Sequence, residues 1–87
     1  MLYRRADGVL HQEVDGAVVL ITAAGDELID LNATGSLVWH ALEGGADVGA
    51  IVAAVRAAHP DAPEATVTAD VEAFLVELTG SGLAVAD

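Results

Sequence analysis

An Asp-Gly pair near the start of the chain constrains the fold more than any other local feature. Asp15 and Gly16 stand between two runs rich in apolar residues, Val9 to Val14 and Ala17 to Thr22. Both central residues of a type I′ turn need a positive φ angle, which glycine adopts freely and aspartate tolerates better than most residues. The pair therefore predicts a β-hairpin whose strands are joined by a two-residue turn.

A third strand is predicted directly after this hairpin. A turn signal of the letters AGD at residues 24–26 precedes a short run, Glu27 to Leu31. Because side chains alternate between the two faces of a strand, Ile29 and Leu31 should share one face and the residues between them the other. The three strands together predict an antiparallel meander with the third strand at one edge.

Three helices are predicted after the strands. The first covers Ala33 to Glu43 and has a good N-cap in Asn32. The second begins after Asp47 and ends before Pro60, because the residue that precedes a proline avoids the α region. The third covers Thr66 to Thr79 and carries a stripe of apolar residues. Strands first and helices afterwards predict an α+β fold.

Length and charge limit what the chain can bind. Its 87 residues are enough for one domain, expected over residues 1–87, with Leu83 and Val85 lying back on its core. The net charge is −11, from 14 acidic and 3 basic residues, and the third helix carries no cation. Binding to nucleic acid needs clustered Lys and Arg side chains on the phosphates. Nucleic acid and anionic membrane surfaces are therefore excluded as expected partners.

The sequence shows no constellation of catalytic residues. The histidines His11, His40 and His59 are scattered over different elements, and no pair has the spacing of metal ligands. Ser36 lies one helical turn before His40, but a serine nucleophile also needs an orienting acid and an oxyanion hole. We therefore expect no enzyme activity, no catalytic residue, no metal and no cofactor.

The location follows from two further absences in the sequence. There is no cysteine, so disulfides and thiolate sites are excluded. No apolar run approaches the roughly 20 residues that a membrane helix needs. The expected location is the cytoplasm.

The edge of the predicted sheet is the remaining candidate for a binding site. An edge strand exposes unpaired backbone N–H and C=O groups, which proteins either protect or use. Glu27 and Asp30 could simply protect this edge with their charges. Alternatively, a partner peptide could add a fourth strand through main-chain hydrogen bonds. The residues alone leave both interpretations open.

Two segments of the chain carry motifs that occur together in one protein family. Leu31 to Gly35 (LNATG), then Val38-Trp39 and Leu42 to Gly44, resemble the signature "LN-x-TG…W-x-x-L-x-G" of the PqqD-like family of precursor-peptide recognition elements. Further along, Asp70 to Leu78 and then Gly82-Leu83 resemble the pattern "D-V-x-x-F-L-x-x-L…G-L". The order and spacing of these pieces, over roughly Val9 to Val85, make the resemblance specific.

The resemblance implies a winged-helix-like α+β fold and a non-catalytic function. Members of this family are peptide chaperones of natural product biosynthesis, which bind the leader segment of a ribosomally made precursor peptide. The leader lies as an additional strand on the third strand, with its apolar side chains against the third helix. The partners implied are the precursor leader peptide and a peptide-modifying enzyme or leader peptidase.

The binding residues are carried over from the family by position. On the third strand, the resemblance implies pairing by the backbones of Glu27, Leu28, Ile29, Asp30 and Leu31. On the third helix, it implies a wall made of Val67, Asp70, Val71, Phe74, Glu77 and Leu78. Asp70 and Glu77 would pair with leader cations or lie on a solvated helix face, and Val71 would fit the core equally well. Trp39 is expected to pack under the sheet.

Two other functions remain as alternatives. The letters GSL around Ser36 resemble the attachment site of an acyl or peptidyl carrier protein, although glycine stands where aspartate is expected. Carriers are helical throughout, which disagrees with the predicted hairpin. The other alternative is a structural dimerisation domain, a homodimer in which two third strands pair across a two-fold axis.

Overall fold

The strands and helices follow the predicted order, with one additional strand at each end of the chain. The computed structural model describes residues 1–87. Its elements are β1 (Tyr3–Arg5), β2 (Leu10–Val14), β3 (Ala17–Ile21), β4 (Leu28–Asp30), α1 (Ala33–Ala41), α2 (Val48–Ala58), α3 (Glu64–Gly80) and β5 (Ala84–Ala86). The three strands predicted from the sequence correspond to β2, β3 and β4, so the α+β prediction is confirmed.

The predicted hairpin forms with the predicted turn. Asp15 has a φ of 53° and Gly16 a φ of 84°, which are the positive angles of a type I′ turn. Val14 pairs with Ala17, so two residues close the hairpin. No other non-glycine residue has a positive φ, and Asp15 accepts it because the twist of this turn matches the twist of the flanking strands.

The meander leaves β4 at one edge. β3 pairs with β2 on one side and with β4 on the other, both antiparallel, so the order is β2-β3-β4. Leu20 lies opposite Ile29 in the second of these pairings. The edge position of the third predicted strand is therefore confirmed.

The strands β1 and β5 form a second, two-stranded sheet that the sequence analysis did not predict. Tyr3 pairs with Ala86 and Arg5 with Ala84. The guanidinium of Arg5 also donates to the carbonyl of Trp39 at 2.8 Å and lies 4.8 Å from the centre of its ring. The N-terminal strand is thereby joined both to the C-terminal segment and to α1.

Local capping sets the starts of the first two helices. The side chain of Asn32 accepts the N–H of Gly35 at 2.7 Å, and that of Asp47 accepts the N–H of Ala50 at 2.8 Å. The third helix begins at Glu64, two residues before the predicted start, because Pro63 fixes its φ at −61° and leads directly into the first turn. The first helix ends at Ala41, ahead of two glycines with positive φ.

One cluster of 15 buried residues joins the sheet to the three helices. β3 contributes Val18 and Leu20, and α1 contributes Trp39, all fully buried. Trp39 packs under the sheet as predicted, with its ring edge-on to His11. Leu83 is buried in the same cluster and Val85 is half-buried in β5. None of the helices combines the length and apolarity that crossing a membrane requires.

Candidate binding site at the open strand edge

The backbone of β4 is bonded to β3 on one side only. The carbonyl of Glu27 accepts the N–H of Thr22, directly after β3, at 3.2 Å, and the N–H of Leu31 donates to the carbonyl of Val18 in β3 at 2.9 Å. Successive residues of a strand point their N–H and C=O groups to opposite sides, so Ile29 also faces β3, and Leu28 and Asp30 face outward. Among the five residues predicted to pair, Leu28 and Asp30 therefore have backbone groups that face the open edge, and Glu27, Ile29 and Leu31 do not.

The side chains of β4 alternate as expected from its position in the sheet. Ile29 packs against the core, on the side of the sheet that faces the helices. Leu28 and Asp30 lie on the other side and are exposed, Leu28 to 70%. An added strand would continue this alternation, so every second residue of the strand would face the helices.

Two adjoining cavities open along α3, one against the start of α1 and the other against the end of α2 and the segment that joins α2 to α3. The smaller, of about 360 Å³, is lined by Asn32, Thr34, Gly35, Asp70, Ala73, Phe74 and Glu77. The larger, of about 590 Å³, is lined by Thr34, Val55, Ala58, His59, Pro60, Asp61, Ala62, Thr66, Val67 and Asp70. The two share Thr34 and Asp70 and form one depression, the α3 groove. The groove begins at Asn32, two residues after the end of β4.

The structure divides the predicted residues of α3 into two groups. Asp70, Phe74 and Glu77 line the groove, and Val67 lines its larger cavity from a nearly buried position. Val71 and Leu78 are 0% and 2% exposed, so their assignment to the binding wall is corrected: they are core residues. The reason is helical geometry, because positions 67, 71, 75 and 78 form the stripe that faces the core. The groove positions lie on the flank of that stripe.

Phe74 lies where the core meets the groove. Its ring packs against the core cluster and also lines the smaller cavity. It comes so close to α1 that a Cβ added at Gly35 would lie 3.1 Å from Cζ of Phe74 and 3.2 Å from Oδ1 of Asn32. Contacts this short are tighter than nine in ten of those that real Cβ atoms make, so a neighbouring atom would have to move by a few tenths of an ångström. Gly35 therefore allows the Phe74 ring to lie against α1.

Several groove residues were missed by the sequence analysis. Asn32, Thr34 and Gly35 lie inside the LNATG segment that carried the family resemblance. The position of that segment directly after the third predicted strand is the sequence signal that could have placed these residues at the site. Asp61 and Thr66 follow the second helix and gave no signal in the sequence.

The groove is acidic: no Lys or Arg side chain lines it, and His59 is its one histidine. Asp61, Asp70 and Glu77 line it, and none of them takes part in an ion pair. The three cations of the chain are all arginines and lie elsewhere. Two of them are in β1, and Arg56 pairs with Glu64 at 3.1 Å.

Ser36 does not fit the carrier-protein alternative. It is only 3% exposed, and its hydroxyl accepts the N–H of Val18 in β3 at 3.0 Å. A phosphopantetheine arm needs an accessible serine hydroxyl, and the five strands also differ from an all-helical carrier. The carrier alternative is therefore wrong. Ser36 is a structural residue that joins α1 to the sheet.

The histidines occupy separate environments. His40 pairs with Glu13, His11 lies against Trp39, and His59 lines the larger cavity of the groove. No group of three or more His, Asp or Glu side chains is placed to hold a metal ion.

Two solved structures share this fold over almost the whole chain. One is described as TbiB1 in complex with the TbiA(beta) leader peptide. It is 31% identical, covers 97% of this chain and 99% of the relative, and has a TM-score of 0.82. The other is described as lasso peptide synthetase B1 complexed with the leader peptide. The match covers 97% of this chain and 98% of that one at 19% identity, with a TM-score of 0.81, and it supports the fold alone.

The sequence itself matches one family. Residues 17–84 match the family of coenzyme PQQ synthesis protein D (PqqD), a range that includes β3, β4 and all three helices. Among curated protein sequences, none matches this chain. The resemblance seen in the LNATG segment and in α3 is thus confirmed over most of the length, and the chain belongs to the PqqD family.

Proposed function

We propose that this chain binds the leader segment of a ribosomally synthesised precursor peptide and presents it to a peptide-modifying enzyme or leader peptidase. The observation that carries the proposal is the unpaired edge of β4 beside the open α3 groove. A relative that shares the fold over 97% of this chain was solved with a leader peptide. An open edge next to a groove is the geometry that strand addition requires.

In this mode the leader extends the meander as a fourth strand. Its main chain bonds to the outward N–H and C=O groups of Leu28 and Asp30. Leader side chains that share a face with Ile29 point towards α3 and enter the groove beside Phe74. The main-chain bonds supply affinity for any extended peptide, and the groove selects the side chains.

The chain performs no chemical step of its own in this proposal. It holds the precursor near a separate enzyme, and tethering of this kind produces effective concentrations of about millimolar. The proposed site of action is the cytoplasm, where ribosomally made precursors are released. Neither a cofactor nor a metal takes part.

A titration by fluorescence anisotropy tests this function. The labelled leader half of the precursor encoded beside this chain should bind saturably, near micromolar, which corresponds to about 8 kcal/mol. The core half of the same precursor, labelled in the same way, is the matched control and should not bind. If the core half binds and the leader half does not, the proposed function is wrong.

Self-association through β4 is the competing use of the same edge. The strand has three residues, and each copy carries a net charge of −11, so two copies repel each other. A leader peptide without this charge is therefore the favoured occupant. Sedimentation velocity with and without leader distinguishes self-association from leader binding, because a dimer paired through β4 should dissociate when leader is added.

A further inference from the structure

The α3 groove places three carboxylates where a bound leader must pass. Asp70 lines both cavities, Asp61 lines the larger and Glu77 the smaller. The edge of β4 and the two cavities locate the site independently of these charges. The carboxylates then determine which leader can occupy it.

We propose that the leader bound by this chain carries Lys or Arg at positions that face the α3 groove, and that these cations select it. The inference rests on the proposed function and adds the chemistry of the ligand. Its basis is the lack of any Lys or Arg side chain in the groove together with three carboxylates that have no ion-pair partner within the chain.

Covering these carboxylates with a bound peptide costs free energy, and this cost is the physical reason to expect cations in the leader. A peptide that lies in the groove removes water from Asp70 and Glu77, and a charge that loses water without gaining a partner is costly. An acidic leader would add repulsion, and a neutral one would leave the cost uncompensated. A leader cation offsets the cost with a charge-assisted hydrogen bond, which is stronger than one between neutral groups.

The spacing of the carboxylates suits an extended peptide. Asp70 and Glu77 are seven positions apart on α3, which corresponds to about 10.5 Å along the helix axis. Residues on one face of a strand repeat about every 6.7 Å. Two leader cations on the groove side, two or four positions apart, can therefore reach the two carboxylates because Lys and Arg side chains are long and flexible.

A charge-matched pair of double variants tests the inference. Asp70→Asn with Glu77→Gln removes two charges from the groove and keeps the shapes of the side chains. Glu43→Gln with Glu72→Gln removes two charges from exposed residues that line neither cavity and form no ion pair. Both variants change the net charge equally, so any difference between them reports position.

The probe is the fluorescein-labelled leader of the precursor encoded beside this chain. At low salt, the groove variant should bind it about fivefold more weakly than wild type, the size expected for two partly exposed ion pairs. The control variant should stay within about twofold. The difference between the variants should shrink at high salt, where the screening length falls to a few ångström.

A second leader, with every Lys and Arg in its strand-forming segment replaced by Gln, completes a double-mutant cycle. It should bind wild type more weakly than the native leader, and it should bind the groove variant at least as tightly as wild type, because the neutral groove has no charge that must lose its water. Equal affinities of the groove and control variants for the native leader would overturn the inference. So would a native leader that has no Lys or Arg in this segment.

The binding results distinguish a failure of charge selection from a failure of leader binding. If wild type binds the native leader and the groove variant binds it equally well, leader capture stands and charge selection falls. If wild type binds neither leader, the proposed function fails and the inference with it. Circular dichroism of both double variants should match wild type, since all four residues are exposed.

Discussion

Gly35 connects the family signature to the shape of the groove. It is buried within α1, where glycine is usually unfavourable, and it lies against Phe74. A glycine inside a helix costs about 1 kcal/mol relative to alanine. The absent side chain lets the ring of Phe74 approach α1, so Gly35 shapes the groove at the expense of helix propensity.

Gly35→Ala should therefore weaken leader binding with little net change in stability. The added methyl group displaces the half-buried ring of Phe74 into the groove, while helix propensity improves by up to about 1 kcal/mol. We expect at least about a tenfold loss of leader affinity (about 1.4 kcal/mol) by anisotropy and a free energy of unfolding within about 1 kcal/mol of wild type by urea denaturation.

Gly49→Ala is the matched control for that substitution. A Cβ at Gly49 would make only an ordinary contact, 3.5 Å from Oδ1 of Asp47, and Gly49 lines neither groove cavity. It should raise the free energy of unfolding by about 0.5–1 kcal/mol and leave leader affinity unchanged. Equal effects of the two substitutions on binding would contradict the role given to Gly35.

Ser36→Ala tests the structural role of the residue next to it. Loss of the hydroxyl leaves the buried N–H of Val18 without its acceptor, which should cost about 1–3 kcal/mol. Chemical denaturation measures this cost, and Ser81→Ala, at an exposed position after α3, is the control. A change in stability below about 0.3 kcal/mol would show that the bond to Val18 contributes nothing measurable.

The sequence predicted the candidate site only in part at this scale. Asp70, Phe74 and Glu77, which were predicted as binding residues, line the groove, whereas Val71 and Leu78, predicted with them, are buried in the core. An apolar helix face spans more than about 100°, and a residue near its margin can face either the core or a groove. The neighbouring elements decide this, and their positions are not written in the helix itself.

At the scale of elements, β4 is short and its two sides differ. Its inner backbone groups hold it to β3, and its outer groups are the ones available to a leader strand. A proline is tolerated in a strand when its missing N–H faces an open edge, and it is disruptive when the N–H is bonded within the sheet. This difference makes proline a selective probe of the edge.

Leu28→Pro should abolish leader binding and leave the fold intact. The substitution removes one outward N–H and preserves the inner bonds of Glu27 and Leu31. Leu28→Ala controls for the side chain and should keep most of the affinity. Ile29→Pro should instead destabilise the protein, because its N–H faces β3. Normal leader binding by Leu28→Pro would exclude the strand-addition mode.

The elements differ in how well the sequence predicted them. The hairpin and the two capped helices carry their own local signals, Asp15-Gly16, Asn32 and Asp47. β1 and β5 have three residues each and pair across almost the whole chain, so nothing local marks them. Their letters, YRR and AVA, show no alternation that would identify a strand.

At the scale of the whole molecule, the sheet of β1 and β5 brings the two ends of the described chain together. The N–H of Asp87 donates to the carbonyl of Leu2 at 2.7 Å, and Arg4 pairs with Asp87 at 3.3 Å. Neither strand lines the α3 groove. Changes in this small sheet should therefore alter the stability of the protein without altering its affinity for a leader.

Deletion of residues 84–87 should lower the melting temperature and spare the binding site. Loss of the β1–β5 pairing should cost about 2 kcal/mol, which corresponds to about 8–16 °C for a domain of this size. Below the melting temperature, leader affinity should be unchanged. Asp87→Ala, which removes only an exposed ion pair, should shift the melting temperature by less than about 5 °C. Loss of leader binding by a folded deletion variant would show that the small sheet supports the groove.

In the proposed binding mode, a leader peptide adds a fourth strand at the edge of β4. Amide hydrogen exchange by NMR distinguishes this edge from the other, because the sheet has two free edges, β2 and β4. Saturation with leader should slow exchange at the outward N–H groups of Leu28 and Asp30 and leave the β2 edge unchanged. Saturable leader binding with new protection along β2, or with none at Leu28 and Asp30, would contradict the account.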